Sequence, residues 1–101
     1  MADRRVLGAG TMAKKGASPA AVHVHGEILF AACERLGAGG DGQVVFRFWY
    51  EGSFTGEMGP KRFFRAFATG EEVPEGATHC KSATDDEGRA WHLYEMPQGA
   101  S

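Results

Sequence analysis

The clearest pattern in the chain is the period-two alternation of residues 43–50, which are rich in β-branched and aromatic side chains. One face of the predicted strand carries Val44, Phe46, Phe48 and Tyr50. The other face mixes charge with aromatic surface, because it includes Arg47 and Trp49. Since successive side chains of a strand point to opposite sides, we expect the first face to be buried and the second to meet solvent.

Strand character recurs in the second half of the chain. The further predicted strands are 61–68, 78–84 and 89–96. Between the last two, Asp85–Gly88 fits a short hairpin loop with its glycine in the left-handed conformation. The apolar run in 26–36 fits either the end of a strand that begins at residue 22 or one face of a helix. The predicted fold is all-β, a small antiparallel sheet of about five strands, and the alternative is an α+β domain with a helix at 26–36.

The first 20 residues have a different composition, with several glycines and alanines and no aromatic side chain. Four cations in this segment, Arg4, Arg5, Lys14 and Lys15, outnumber Asp3 and give it a charge of +3, which leaves −5 for the rest of a chain whose net charge is −2. Such a segment buries too little apolar area to offset its ordering entropy. We therefore predict a flexible basic tail at 1–20 and a single acidic β domain at 21–98.

Composition also limits the compartment. The longest apolar run, Ile28–Cys33, is too short to cross a bilayer, and the first residues lack the apolar stretch of a secretory signal. We therefore expect a cytoplasmic protein without membrane contact. In a reducing compartment Cys33 and Cys80 are expected to be free thiols, and a single disulfide is the alternative.

No motif in the sequence carries recognisable catalytic chemistry. Residues 37–42 match the letters G-x-G-x-x-G, but a strand follows them where a dinucleotide site needs a helix. The four histidines and Cys80 lack the spacing of a structural zinc site, and His79 and Cys80 would face opposite sides of a strand. Most carboxylates fall in predicted turns, where they are solvated. We predict no enzyme, no cofactor and no metal site.

Two sets of residues are candidates for binding a macromolecule. Exposed aromatic residues and arginine are common interface anchors, so the first set holds Arg47 and Trp49 together with Phe54 and Met58 of the following loop. The second set is Lys61, Arg62 and Arg65, which alternate with phenylalanines as in proteins that bind single-stranded nucleic acid. An open sheet edge would also allow a homodimer, and the sequence leaves the oligomeric state open.

Residues 64–78 and Trp91–Glu95 resemble a family of small domains of unknown function found in bacteriophages and their actinobacterial and other bacterial hosts. The shared features are a strand ending in Thr-Gly, a Val-Pro turn and a terminal Trp-His-Leu-aromatic strand, and residues 26–29 are similar to the family's first strand. The resemblance implies that Thr69, Gly70, Pro74, Trp91 and Leu93 serve the fold. It favours a strand at 26–36 and brings no activity with it.

These observations give one leading hypothesis and two alternatives for function. The leading hypothesis is a small non-enzymatic protein of phage or prophage type that binds a host or phage protein and could thereby inhibit it. The alternatives are a β domain that binds single-stranded nucleic acid and a component of a virion or of its assembly.

Overall fold

The computed structural model describes residues 5–36, 42–52 and 60–97, and within these residues it contains seven β-strands and no helix. The strands are β1 (Arg5–Met12), β2 (Ala20–His23), β3 (His25–Arg35), β4 (Val44–Gly52), β5 (Lys61–Ala68), β6 (Thr78–Thr84) and β7 (Ala90–Glu95). They form two antiparallel sheets, sheet A with the order β1-β4-β3 and sheet B with the order β2-β5-β7-β6.

The all-β prediction is confirmed, and β4 to β7 lie within two residues of their predicted positions. The predicted strand 22–36 contains two strands, because the chain leaves sheet B after β2 and enters sheet A as β3. The helical alternative for 26–36 is wrong. Residues 30–35 pair with β4, and Ala31 and Cys33 pack against the core between the sheets.

Within the segment predicted to be a flexible tail, residues 5–12 form β1. This strand pairs with β4 without a shift in register, from Arg5 opposite Gly52 to Met12 opposite Val45. Its inward residues Leu7 and Ala9 pack against the core. Continuous backbone pairing with a well-formed neighbour holds this glycine-containing segment in place despite its low intrinsic strand propensity.

The core lies between the sheets and consists mainly of aromatic side chains. Sheet A contributes Phe46, Phe48 and Tyr50 from β4, and sheet B contributes Phe64, Trp91 and Leu93 from β5 and β7. The rings of Phe48 and Phe64 meet across the interface with their centroids 5.3 Å apart and their planes tilted by 48°. Tilted aromatic pairs of this kind add to the free energy gained by removing the rings from water.

The β6–β7 hairpin forms as predicted, with Gly88 in the left-handed conformation at φ 81°. Asp85 organises the turn, because its carboxylate accepts the backbone N–H groups of Glu87 and Arg89, each at 2.9 Å. The same carboxylate accepts the indole N–H of Trp91 at 3.2 Å. Desolvation acts to raise the pKa of Asp85, but these hydrogen bonds outweigh it and lower the pKa. The turn is thereby tied to a core side chain.

A second carboxylate, Glu71, joins two turns that are far apart in the sequence. It accepts the backbone N–H of Ala68 at 3.0 Å and that of Gly16 at 3.2 Å, and it forms an ion pair with Arg65. Both side chains of this pair are largely buried. Burial acts to raise the pKa of Glu71, but the hydrogen bonds and the guanidinium outweigh it and lower the pKa. Glu71 thus fixes the β1–β2 connection against the end of β5.

Replacing Glu71 by Gln should lower the free energy of unfolding by about 1.5–3 kcal/mol at neutral pH, the range for hydrogen bonds that involve a charged group. A lowered pKa means that the stabilisation is present above about pH 4.3 and is lost as pH falls through the lowered value. Urea unfolding of both proteins across pH 3–7 measures this difference. Glu72→Gln, which changes the exposed neighbour, should have little effect. Equal stability of the wild-type and Glu71→Gln proteins at pH 7 would contradict the role of Glu71.

Candidate functional site

The outer face of sheet A presents an exposed apolar surface, which we call the Trp49 face. Its members are Val6, Gly8, Phe30, Arg47 and Trp49. The register explains this grouping, because Trp49 of β4 lies opposite Gly8 on one side and opposite Phe30 on the other. Because side chains alternate along β4, Trp49 points outward while its neighbours Phe48 and Tyr50 point inward.

Aromatic and aliphatic groups at the Trp49 face are open to solvent. Phe30 and Trp49 are in contact with their ring centroids 5.5 Å apart, and 61% of Phe30 is exposed. Val6 on the neighbouring edge strand is 62% exposed. A Cβ atom built at Gly8 would lie 3.3 Å from Nε1 of Trp49, so the glycine leaves space for the indole against β1.

One ion pair borders the aromatic part of this face. Arg47 of β4 bonds to the carboxylate of Glu34 on β3, and about half of each side chain is exposed. An exposed pair of this kind contributes little to stability, so a partner could compete for either charge at small cost. The Trp49 face therefore has an apolar centre. At its border lies an ion pair whose charges cancel and whose members can bind a partner instead of each other.

The three predicted cations of β5 lie in sheet B, apart from Arg47 and Trp49 in sheet A. Arg62 is bidentate to Glu95 at 2.9 and 2.7 Å. Arg65 is paired with Glu71 and stacks over Phe67 at 4.2 Å. Lys61 is exposed. Both arginines are thus committed to carboxylates of the fold, which leaves less charge on β5 for a phosphate backbone.

Phe54 and Met58 lie outside the described residues, and their proposed role stays a prediction. The sequence analysis missed Phe30 and Val6 as members of the exposed face. Phe30 was hidden because the segment 26–36 had two interpretations, and Val6 because it fell in the predicted tail. Strict alternation would place Phe30 on the same face as Ile28, but the register of β3 shifts between His25 and Phe30, so Ile28 is buried whereas Phe30 is exposed.

The histidines considered as metal ligands form a different arrangement. His79 and His92 are joined through the hydroxyl of Ser82, at 2.8 and 2.7 Å from their ring nitrogens. Cys80 packs against the core, whereas His79 is exposed. Among the residues that the structure describes, no three His, Cys, Asp or Glu side chains are grouped in a way that could hold a metal ion.

Comparison with known proteins gives one match. A model of the family described as a domain of unknown function, DUF7352, matches residues 15–101. The chain belongs to this family. No curated protein and no solved structure matches the chain. In this member of DUF7352, β2 to β7 lie within the matched region and β1 precedes it. In the part of the chain that the structure describes, no helix is long and apolar enough to cross a membrane.

The cysteines of this DUF7352 member are free thiols, as predicted, and burial makes them weak nucleophiles. Desolvation, with a contribution from the charge of Asp85, raises the pKa of Cys33 to about 11. Desolvation is also the main cause of a raised pKa for Cys80. Because the thiolate is the reactive form, neither sulfur is activated for nucleophilic attack.

Cys33 should therefore react slowly with Ellman's reagent at pH 8 in the folded protein. Its raised pKa lowers the thiolate fraction at pH 8 by roughly 100-fold, and the rate falls by about tenfold or more because the greater nucleophilicity of a more basic thiolate offsets part of this loss. The measurement uses the Cys80→Ala variant, so that only one thiol is followed, in buffer and in guanidinium chloride. A folded protein that reacts as fast as the unfolded one would contradict this prediction.

Proposed function

We propose that this protein is a small non-enzymatic accessory protein of phage or prophage type, which acts in the host cytoplasm by binding a host or phage protein through the Trp49 face. The observation that carries the proposal is the contact between the exposed Phe30 and the partly exposed Trp49, with Val6 exposed on the same side of sheet A. The sequence resemblance described above supports the phage-type origin.

The exposed ring of Phe30, together with the partly exposed ring of Trp49, has a cost in water that a partner protein can remove. Large apolar side chains grouped on one face of a soluble protein mark interaction sites more often than single exposed residues do. Tryptophan and arginine are among the residues that most often carry binding energy, and both are present at this face as Trp49 and Arg47. We expect the partner to bring an apolar group onto Phe30 and Trp49.

The geometry favours a protein partner over a nucleic acid. Single-stranded nucleic acid needs cations beside stacking surfaces, because the phosphates supply most of the affinity. At the Trp49 face the cation Arg47 is paired with Glu34. On β5, Arg62 and Arg65 are paired with Glu95 and Glu71. The aromatic surface of the Trp49 face is therefore bordered by one cation whose charge Glu34 offsets, and Arg62 and Arg65 are engaged by carboxylates of sheet B.

The double substitution Val6→Ser and Phe30→Ser tests the proposal with little risk to folding, because both side chains are mostly exposed. Tagged wild-type and variant proteins are used to capture proteins from a lysate of the host. We expect the wild-type protein to capture a partner. Once purified, this partner should bind the double variant at least tenfold more weakly than the wild type, a difference in binding free energy of about 1.4 kcal/mol. Calorimetry with the purified partner measures this ratio.

Leu36→Ser provides the matched control, since Leu36 is also an exposed apolar residue, at 42%, and follows the end of β3. It lies roughly 20 Å along the strand from Phe30. The control should bind the partner as tightly as the wild type. Equal loss in the control, or binding unchanged in the double variant, would contradict the proposal. Light scattering could instead show that the protein self-associates and that the double substitution abolishes this. The partner at the Trp49 face would then be a second copy of this chain and not a host or phage protein.

A further inference from the structure

A cleft at one end of the molecule, separate from the Trp49 face, has a cationic rim and an apolar floor. We call it the Lys14 cleft. Its floor includes Ala13, Ala68 and Trp91, and its rim carries Lys14, Lys15 and Arg89. The volume is about 560 Å³, which falls within the range of sites that bind small molecules.

The rim cations are carried by turns whose backbone is fixed. On one side of Lys14 and Lys15, the N–H of Ala13 donates to the carbonyl of Val44 at 2.9 Å. On the other side, the N–H of Gly16 donates to Glu71 at 3.2 Å. Because this backbone is already held in place, less of the entropy loss on binding comes from ordering the turn.

Arg89 approaches the cleft from the β6–β7 hairpin, which is fixed independently. Its backbone N–H donates to the side chain of Asp85, and its carbonyl accepts the N–H of Asp85, both at 2.9 Å. Its guanidinium is 3.8 Å from the carboxylate of Glu87, with both side chains more than half exposed. A long and exposed ion pair of this kind is weak, so the charge of Arg89 remains available.

The charge at the cleft is opposite to that of the protein as a whole. Three cations line the rim, and among the residues that the structure describes no carboxylate lines the cleft, although the chain has a net charge of −2 and Asp85 and Glu87 line the adjoining cavity. Like charges held close together on fixed turns repel one another, and an anion that enters relieves this repulsion. The alanines of the floor leave space beside Trp91 for an apolar group.

We propose that the Lys14 cleft binds a small phosphorylated molecule whose phosphates lie among Lys14, Lys15 and Arg89 and whose planar apolar part lies on the floor, as in a nucleotide. Lysine and arginine both bind phosphate oxygens with charge-assisted hydrogen bonds. The size of the cleft accommodates one such molecule. This site does not depend on the Trp49 face, and either proposal can fail without the other.

ATP, pyrophosphate and adenosine serve as the probes, in calorimetric titrations at low salt. ATP should bind most tightly, pyrophosphate more weakly because it lacks the planar part, and adenosine without measurable heat. The double substitution Lys14→Ala and Lys15→Ala should weaken ATP binding at least tenfold, and Arg89→Ala should weaken it by a similar factor. Lys61→Ala, which removes an exposed cation of β5 outside the cleft, should leave the affinity unchanged.

Nuclear magnetic resonance shows where the ligand lies, because the chain has two tryptophans, one at the cleft and one at the Trp49 face. Titration with ATP should move the indole N–H signal of Trp91 and leave that of Trp49 in place, with the Trp49→Phe variant assigning the two signals. Thermal unfolding confirms that each variant is folded.

Three results would overturn the proposal. The first is that Lys61→Ala weakens ATP binding as much as the double substitution does. ATP would then be attracted by any surface cation and not by the cleft. The second is the absence of saturation at millimolar ATP. The third is a labelled single-stranded oligonucleotide that binds more tightly than ATP and loses its binding in the double variant, because the cations of the cleft would then serve a nucleic acid.

Discussion

The contact between the aromatic side chains of the two sheets is the constraint on which the rest of the structure depends. β4 is the central strand of sheet A, and its Phe48 meets Phe64 of sheet B across the core. A strand cannot bury Phe48 and Tyr50 on one side without placing Trp49 on the other. The exposed aromatic surface is therefore a consequence of the core. The register decides which way this side chain faces but not its type, and a tryptophan here gives the proposed protein partner an apolar group to contact.

Charged side chains set the remaining geometry by joining segments that hydrophobic burial leaves loosely defined. Arg62 and Glu95 link β5 to the end of β7, and Glu71 links the β1–β2 connection to the end of β5. In both cases an arginine that looks available in the sequence is engaged by a carboxylate of the same domain. Arg62 and Arg65 of β5 act mainly as structural links, whereas the three cations of the Lys14 cleft lie on the connecting turns.

The sequence predicts the elements whose pattern is local. Alternation defines β4, and turn residues such as Gly88 define the last hairpin, so both can be placed without knowledge of the fold. β1 cannot be placed in this way, because Gly8 and Gly10 lower its strand propensity and its pairing partner is distant in the sequence. The same argument applies to the candidate site, where Arg47 and Trp49 could be identified from β4 alone. Val6 depends on the placement of β1, and Phe30 on that of β3.

β1 also explains how two unrelated surfaces arise from one small domain. At its beginning it supplies Val6 and Gly8 to the Trp49 face, and just beyond its end Ala13 bonds to Val44 and so positions the turn that carries Lys14. The strand precedes the region matched by the family model, which begins at residue 15. Val6, Gly8 and Lys14 thus precede the matched region. They supply part of the Trp49 face and part of the cleft. Variation at these outward and turn positions would alter both surfaces, whereas Leu7 and Ala9 are constrained because they pack against the core.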